Sequence, residues 1–457
     1  MDLPQEILDA FIDEIASTMR QQESLRALTT CALVGRSMNH RCRKHLFFSI
    51  ETSPRRRQAR LESKKESRIM SLRKIMDSDP TLAQYIRHLH IDLGINGVEI
   101  HNLTQHLPHI LQLLSKNSHS YLETVEIFAK AFSHVKFSNL PTVLQQSFFS
   151  FQNFTSLSTL TLSNLTSVPV SFITGFPNLL HLYLTAVFLI KDELLFPTQK
   201  AFRNASMDGC ALLHGRSPPL SPTFSLCTFN VNRFFGLCTA TFLELNPFSG
   251  LKKLTASIAG ISDARAFAQV IGSAANSLEM LDLYAEFGIC MLHPYISDQN
   301  IPRSAASNRL AFPFSSALPL DAGLYPSLQA ITFRLQLASD RRWIAGYDSV
   351  ILEPPSETSN LSTVQLILTQ YIDTLDDVAS RIDDTAGWSS LDDALNSRNF
   401  VRLSCVILVL KLLTHSTSDP LKTTARERAE QGISNVLPRL SASSSIKFTK
   451  RVCIQVL

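Results

Sequence analysis

Five histidines fall close together in one part of the chain: His88, His90, His101, His106 and His109. Imidazoles so grouped could ligate a transition metal or carry protons. A ligand set also needs a cysteine or carboxylate at matching spacing, and none stands beside them, so no metal site is expected. Paired aspartates recur at Asp376–Asp377, Asp383–Asp384 and Asp392–Asp393. A calcium loop wants ligands at alternate positions around a glycine turn, and this run has neither, so a solvated helix face is expected. The eight cysteines (31, 42, 210, 227, 238, 290, 405, 453) include no CxxC pair and read as buried, reduced thiols. Phosphate-cradling, HExxH and GxSxG motifs are absent from the sequence. A Ser-His-Asp triad needs no local signature, and nothing positive supports one. The chain is therefore read as a non-enzyme with no catalytic residue, metal or cofactor.

With no chemistry to position, the elements themselves become informative. The first fifty residues, Met1 to Ile50, contain LPQEIL (Leu3–Leu8), LRALTTCALVGRSMNHR (Leu25–Arg41) and KHLFFSI (Lys44–Ile50). Pro4 suits a first helical position, and Glu6 falls where a carboxylate favours the helix dipole. Leu8, Ile12, Ile15 and Met19 form one helical stripe, with Ile7 and Phe11 beside it. A second stripe runs Leu25, Leu28 and Cys31 or Ala32, and a third short segment carries His45, Leu46 and Phe47. Three short helices bury little on their own, so surplus apolar surface is expected to dock on something.

These fifty residues resemble an F-box. The residues that carry the likeness are Leu3, Pro4, Glu6, Ile7, Leu8, then Leu33, Val34, Arg36, Ser37, then Leu46, Phe47 and Ile50. The resemblance implies docking on a Skp-type adaptor, and through it a cullin, with Leu3, Pro4, Ile7, Leu33 and Val34 as anchors. It also implies an apolar closing helix. Two positions depart from the family pattern: Gly35 stands where Cys is usual and Met38 where Trp is usual. The alternative reading is a helical cap on a repeat protein, whose core needs the same leucines.

Composition fits a chain with ample core and no strong charge-driven partner. Hydrophobic residues are 45%, charged residues 18%, and the net charge is +4 over 457 residues. Neither nucleic acid nor an anionic membrane is indicated. The N-terminus lacks a positively charged, then apolar, leader, so cytoplasm or nucleus is the expected compartment. The window 137–190 holds no Asp, Glu, Lys or Arg, yet Ser, Thr, Asn, Gln and Pro interrupt it throughout. It lacks the ~18 apolar residues a spanning helix needs.

Residues 51–81 are read as a basic linker ending in a helix, with PRRRQAR (Pro54–Arg60), Lys64, Lys65, Arg68, Arg73 and Lys74, then Leu72, Ile75 and Met76 at helical spacing. Beyond it a unit recurs: apolar, two residues, apolar, one residue, apolar. It starts at Ile86, Leu122, Leu157, Leu179, Phe202, Leu226, Leu251, Leu278, Leu328, Leu361 and Leu403. The intervals are 36, 35, 22, 23, 24, 25, 27, 50, 33 and 42 residues. The last three positions of each unit alternate as a strand would, and each unit needs neighbours to cover its edge and apolar face. Stacking predicts a parallel sheet with returns between strands, helical over Thr104–Asn117 and Ile261–Ser277. The central intervals match leucine-rich repeats. The region 82–457 accordingly resembles an irregular leucine-rich-repeat solenoid, of the style common in F-box proteins of mushroom-forming fungi. The fold class expected is α/β: a small N-terminal three-helix F-box, then this solenoid with a parallel sheet.

Two excursions, 291–326 and 340–360, break the rhythm. The second carries Arg341, Arg342 and Trp343, whose composition suits a target-binding hot spot; a Trp packed on the sheet rim is the alternative. Phe400–Leu413 is read as the last strand and Arg426–Leu440 as a capping helix. Together these features imply the substrate receptor of an SCF-type ubiquitin ligase, holding an unidentified target protein. A repeat scaffold without ligase association is the second reading.

Overall fold

A computed structural model describes residues 4–17, 22–52, 68–94, 97–116, 121–130, 135–190, 226–232, 242, 247–258, 261–286, 322–337, 358–372, 382, 385–415 and 419–456. The protein is mixed α/β, with N-terminal helices and parallel sheet. The chain divides into two compact units, Met1–Phe224 and Ser225–Leu457.

The first unit opens with three helices, α1 (Gln5–Ser17), α2 (Gln22–Val34) and α3 (Arg36–Leu46). The expected closing helix ends at Leu46, and Ser49–Glu51 is instead a strand, β1. Three residues are too few for alternation to show in the sequence. Helix α4 (Arg68–Ser78) follows, burying Ile69, Leu72 and Met76, whereas Ile75 lies exposed. Strands β2 (His88–Asp92), β3 (Thr124–Phe128), β4 (Thr159–Ser163) and β5 (His181–Thr185) then join β1 in a parallel array.

In the second unit the strands are β6 (Thr228–Asn232), β7 (Lys253–Ile258), β8 (Met280–Glu286), β9 (Ala330–Leu337), β10 (Thr363–Tyr371), β11 (Cys405–Thr414) and β12 (Lys447–Val456). Each pairs with the next in parallel.

Every repeated apolar unit that falls on described residues produces a strand, and the strand begins at the unit's third residue. The unit at Phe202 lies outside the described residues. The first apolar residue of each unit is buried just before its strand: Ile86, Leu122, Leu157, Leu179, Leu226, Leu251, Leu278, Leu328, Leu361 and Leu403. Strand-starting residues lie level, as in Thr228, Lys253, Met280, Ala330, Thr363, Cys405 and Lys447. With no stagger, side chains of one face form straight rows across the strands. Inward rows are aliphatic: Leu89 and Ile91, Val125 and Ile127, Leu160 and Leu162, Leu182 and Leu184 are all buried. Each such side chain contributes about 1.5–3 kcal/mol relative to exposure.

The returns complete the core. Helix α5 (Gly97–Lys116) buries Leu107, Ile110, Leu111 and Leu114, as the periodicity predicts. Between β3 and β5 a phenylalanine cluster, Phe137, Phe148, Phe149, Phe151, Phe154, Phe172 and Phe176, packs with ring centroids 5.5–6.4 Å apart. Helices α6 (Thr142–Ser150) and α7 (Val170–Thr174) supply much of it. In the second unit α8 (Ile261–Ser273) buries Phe267, Val270 and Ile271, while the expected inward Ala268 is exposed. Cys405–Thr414 is not the last strand: α9 (Thr385–Leu395) precedes it, and α10 (Asp419–Val436), α11 (Pro438–Ala442) and β12 follow. The segment expected to cap the array therefore sits between two strands.

Asn164 adopts φ 57° and donates from Nδ2 to the Ala129 carbonyl at 2.8 Å, tying two neighbouring returns. Asp392 is no solvated residue. It is buried, and its carboxylate accepts from the Arg439 and Leu440 amides at 2.9 and 3.0 Å, satisfying the start of α11. Asp393 is exposed and pairs with Arg439.

Among the described residues no helix is long and apolar enough to cross a membrane.

Candidate docking surface of the N-terminal helices

Three helices meet through one residue each. Ile12 of α1, Leu28 of α2 and Cys42 of α3 are fully buried, with Ile15, Ala16, Cys31, Ala32, Met38 and Leu46 packed around them. So small a core leaves most of the apolar residues outside it. Burial in this core raises the Cys42 thiol above its usual range, so it stays protonated and packs as a small hydrophobe.

Polar ties supplement the core. Asp13 accepts from Arg41 Nε at 2.7 Å and from His45 Nε2 at 2.8 Å, linking α1 to α3. The Arg41 bonds, then those of His45, hold its carboxyl well below the usual carboxylate range. Asn39 Nδ2 donates to the Ala32 carbonyl at 2.8 Å, linking α3 to α2. On its other side α3 meets the turn Pro80–Tyr85: Arg43 pairs with Asp79 at 2.6 Å, and the Tyr85 hydroxyl meets His40 Nδ1 at 2.8 Å. Helix α3 thus anchors the bundle to the strands, and α1 and α2 form its outer part.

The expected anchors lie on that outer part. Pro4 is exposed and its carbonyl accepts the first bonds of α1, from Ile7 and Leu8 at 3.1 and 3.3 Å. Ile7 is 53% exposed, Leu33 83% and Val34 72%. Phe11, one turn beyond Ile7, is 56% exposed and joins them, as the stripe beside Ile12 suggested. Leu25, expected to face inward, is also largely exposed. Leu3 lies outside the described residues, as do Arg341, Arg342 and Trp343. Gln5 Nε2 donates to the Ser37 carbonyl at 3.1 Å. This bond brings the start of α1 beside the α2–α3 junction, so Pro4, Leu33 and Val34 gather at one end. Such a grouping of large apolar side chains is suited to docking a partner.

Met38 and Gly35 occupy different places in this arrangement. Met38 packs against the three-residue core. Gly35 caps α3 with extended backbone, and an added Cβ would meet Met38 Cε at 3.5 Å, ordinary contact distance.

The histidines do not converge. His109 pairs with Asp77 at 2.6 Å, His106 meets Arg73 at 3.3 Å and His101 meets Gln105 at 2.8 Å. His90 pairs with Glu126 on the neighbouring strand, its ring beside Phe128. Half-burial opposes charge on His90, but Glu126 outweighs it and raises the imidazole's pKa; the same bond lowers that of Glu126. Among the described residues no group of three His, Cys, Asp or Glu could hold a metal ion.

No protein-family model matches the chain, and no curated protein matches it.

Proposed function

We propose that the chain is the substrate-recognition subunit of an SCF-type ubiquitin ligase in the cytoplasm or nucleus. Its first fifty residues act as an F-box on a Skp-type adaptor, and a leucine-rich-repeat array behind them holds a target protein. Its catalytic contribution is proximity, since other subunits supply the chemistry. The observation that carries the reading is the exposure of Pro4, Ile7, Leu33 and Val34 on a bundle whose third helix is tied to the rest of its unit by Arg43–Asp79 and His40–Tyr85. A helical cap serving only its own sheet would have these residues covered by it. The test is co-purification with a Skp adaptor, comparing wild type with Leu3→Ala/Pro4→Ala. Loss of capture by that variant is expected, and a wild-type chain that never captures the adaptor removes the reading.

The second reading, a protein-binding scaffold without ligase association, draws on Met38. Its packing into the bundle core leaves no large anchor where the family usually presents Trp. Deleting Met1–Ile50 does not separate the two readings. Ser49–Glu51 pairs with His88–His90, so the deletion removes a strand under either. Point changes at exposed positions do separate them.

A further inference from the structure

The outward rows of β10, β11 and β12 differ in charge from those of β8 and β9. On β8 and β9 the outward residues include Asp282, and Arg334 there is neutralised by a bidentate bond to Asp282, both arms 2.9 Å. Across the last three strands the outward residues are register-matched rows running from Thr363, Cys405 and Lys447. No carboxylate occurs among them. They carry three cations, Lys411, Lys447 and Arg451, all exposed. None of the three forms an ion pair with a described residue. Lys411 is level with Cys453, so Arg451 is its diagonal neighbour, about 7–8 Å away. Between these charges Ile407, Val409 and Leu413 lie half-exposed.

We infer that this face docks an acidic peptide segment bearing aliphatic side chains. Cations with no ion-pair partner among the described residues attract carboxylates, and the aliphatic row between them offers burial to Val, Leu or Ile. A nucleic acid fits less well, because single strands want aromatic stacking and this row is aliphatic. The inference names a chemistry for the target that the receptor reading leaves open. It rests on that reading for its biological purpose alone, since binding here needs no adaptor.

Fluorescence anisotropy on the full chain tests it, with a labelled peptide alternating Asp with Val and Leu. Controls are the same peptide with Lys for Asp, and a single-stranded oligonucleotide. The acidic peptide is expected to bind and to weaken with salt, and the basic one to fail. Lys411→Glu/Arg451→Glu should weaken binding at least about tenfold, and Lys253→Glu should leave it unchanged. Should the double reversal fail to fold, Lys411→Gln/Arg451→Gln takes its place. Equal binding by wild type and charge variant, or preference for the oligonucleotide, overturns the inference. Adaptor capture is measured on the same samples. Capture without peptide binding sinks the inference alone, and peptide binding without capture sinks the receptor reading alone.

Discussion

Gln5 and Ser37 are 32 residues apart, and Gln5 Nε2 donates to the Ser37 carbonyl at 3.1 Å. That bond joins the first turn of α1 to the first turn of α3, across the point where α2 ends. Its consequence is geometric: Leu33 and Val34, the last residues of α2, project at the end of the bundle where α1 begins. No described strand or helix covers them.

Leu33→Asp/Val34→Asp should therefore abolish adaptor capture and leave the thermal melt within about 0.5 kcal/mol of wild type. Anchors of this kind are worth roughly 2–4 kcal/mol to a complex. The two measurements are a pull-down and a calorimetric scan on the same preparation. A large fall in melting temperature would mean that the two side chains stabilise the chain itself.

Asp13 makes the bundle acid-sensitive. Its folded carboxyl is held below the ordinary value of 3.8, first by Arg41 and then by His45. A lowered folded pKa contributes stability that is present above the unfolded pKa and is lost as pH falls through the folded one. Wild type should thus lose this contribution below about pH 4. Asp13→Asn should be less stable at neutral pH by about 0.5–1 kcal/mol, a modest figure because the pair is partly solvated. Its stability should also fall less steeply in acid. Denaturant titrations across pH check both, and parallel curves for the two proteins would remove Asp13 from the account.

Much of the fold was legible because leucine spacing records which positions point inward. Leu89 and Ile91, or Val364 and Leu366, announce a strand by alternation, and the buried Ile86 or Leu361, two residues before the strand's first residue, marks where it starts. Strands without that signal were missed. Ser49–Glu51 is too short to alternate. In Lys447–Val456 the only buried side chain is Val452, because this strand pairs with β11 on one side only and carries exposed lysine and arginine. Side-chain roles set by distant partners were equally hidden. Asp392 reads as one member of a solvated acidic pair until α11, 46 residues on, brings two amides to it. Ser167 and Ala186 take φ of 55° and 51° with no glycine to advertise the turn. At the docking surface, Ile7 and Phe11 were readable as surplus beside the Ile12 stripe. Leu25 was not, since its spacing from Leu28 suits an inward position and only the three-helix packing turns it outward.

Asp392→Ala should be costly for a surface-style acidic pair. It leaves the Arg439 and Leu440 amides without their acceptor, and it removes the longer of two bonds of Asn396 Nδ2, which keeps the backbone carbonyl of residue 392 at 2.7 Å. A lost cap of this kind costs about 1–2 kcal/mol. Asp393→Ala removes only an exposed pair with Arg439 and should cost under about 1 kcal/mol. Chemical denaturation of the two variants side by side gives the comparison. Equal losses would show that burial of Asp392 carries no weight.

Gln370 predicts a gain. It lies at an inward position of β10, level with Leu412 of β11, and is fully buried. Neither its Oε1 nor its Nε2 has a hydrogen-bond partner among the described residues. A buried, unsatisfied amide costs about 1–3 kcal/mol relative to an apolar group of the same shape. Methionine matches glutamine in length and branching and carries no such penalty. Gln370→Met should therefore raise stability by about 1 kcal/mol or more, seen as a melting temperature higher by roughly 2–4 °C. Gln370→Ala should do the opposite, because the cavity it opens in a row of Leu366, Leu368 and Leu412 outweighs the relief. A methionine variant less stable than wild type would mean that the amide finds its bonds in solution, from water admitted to the core.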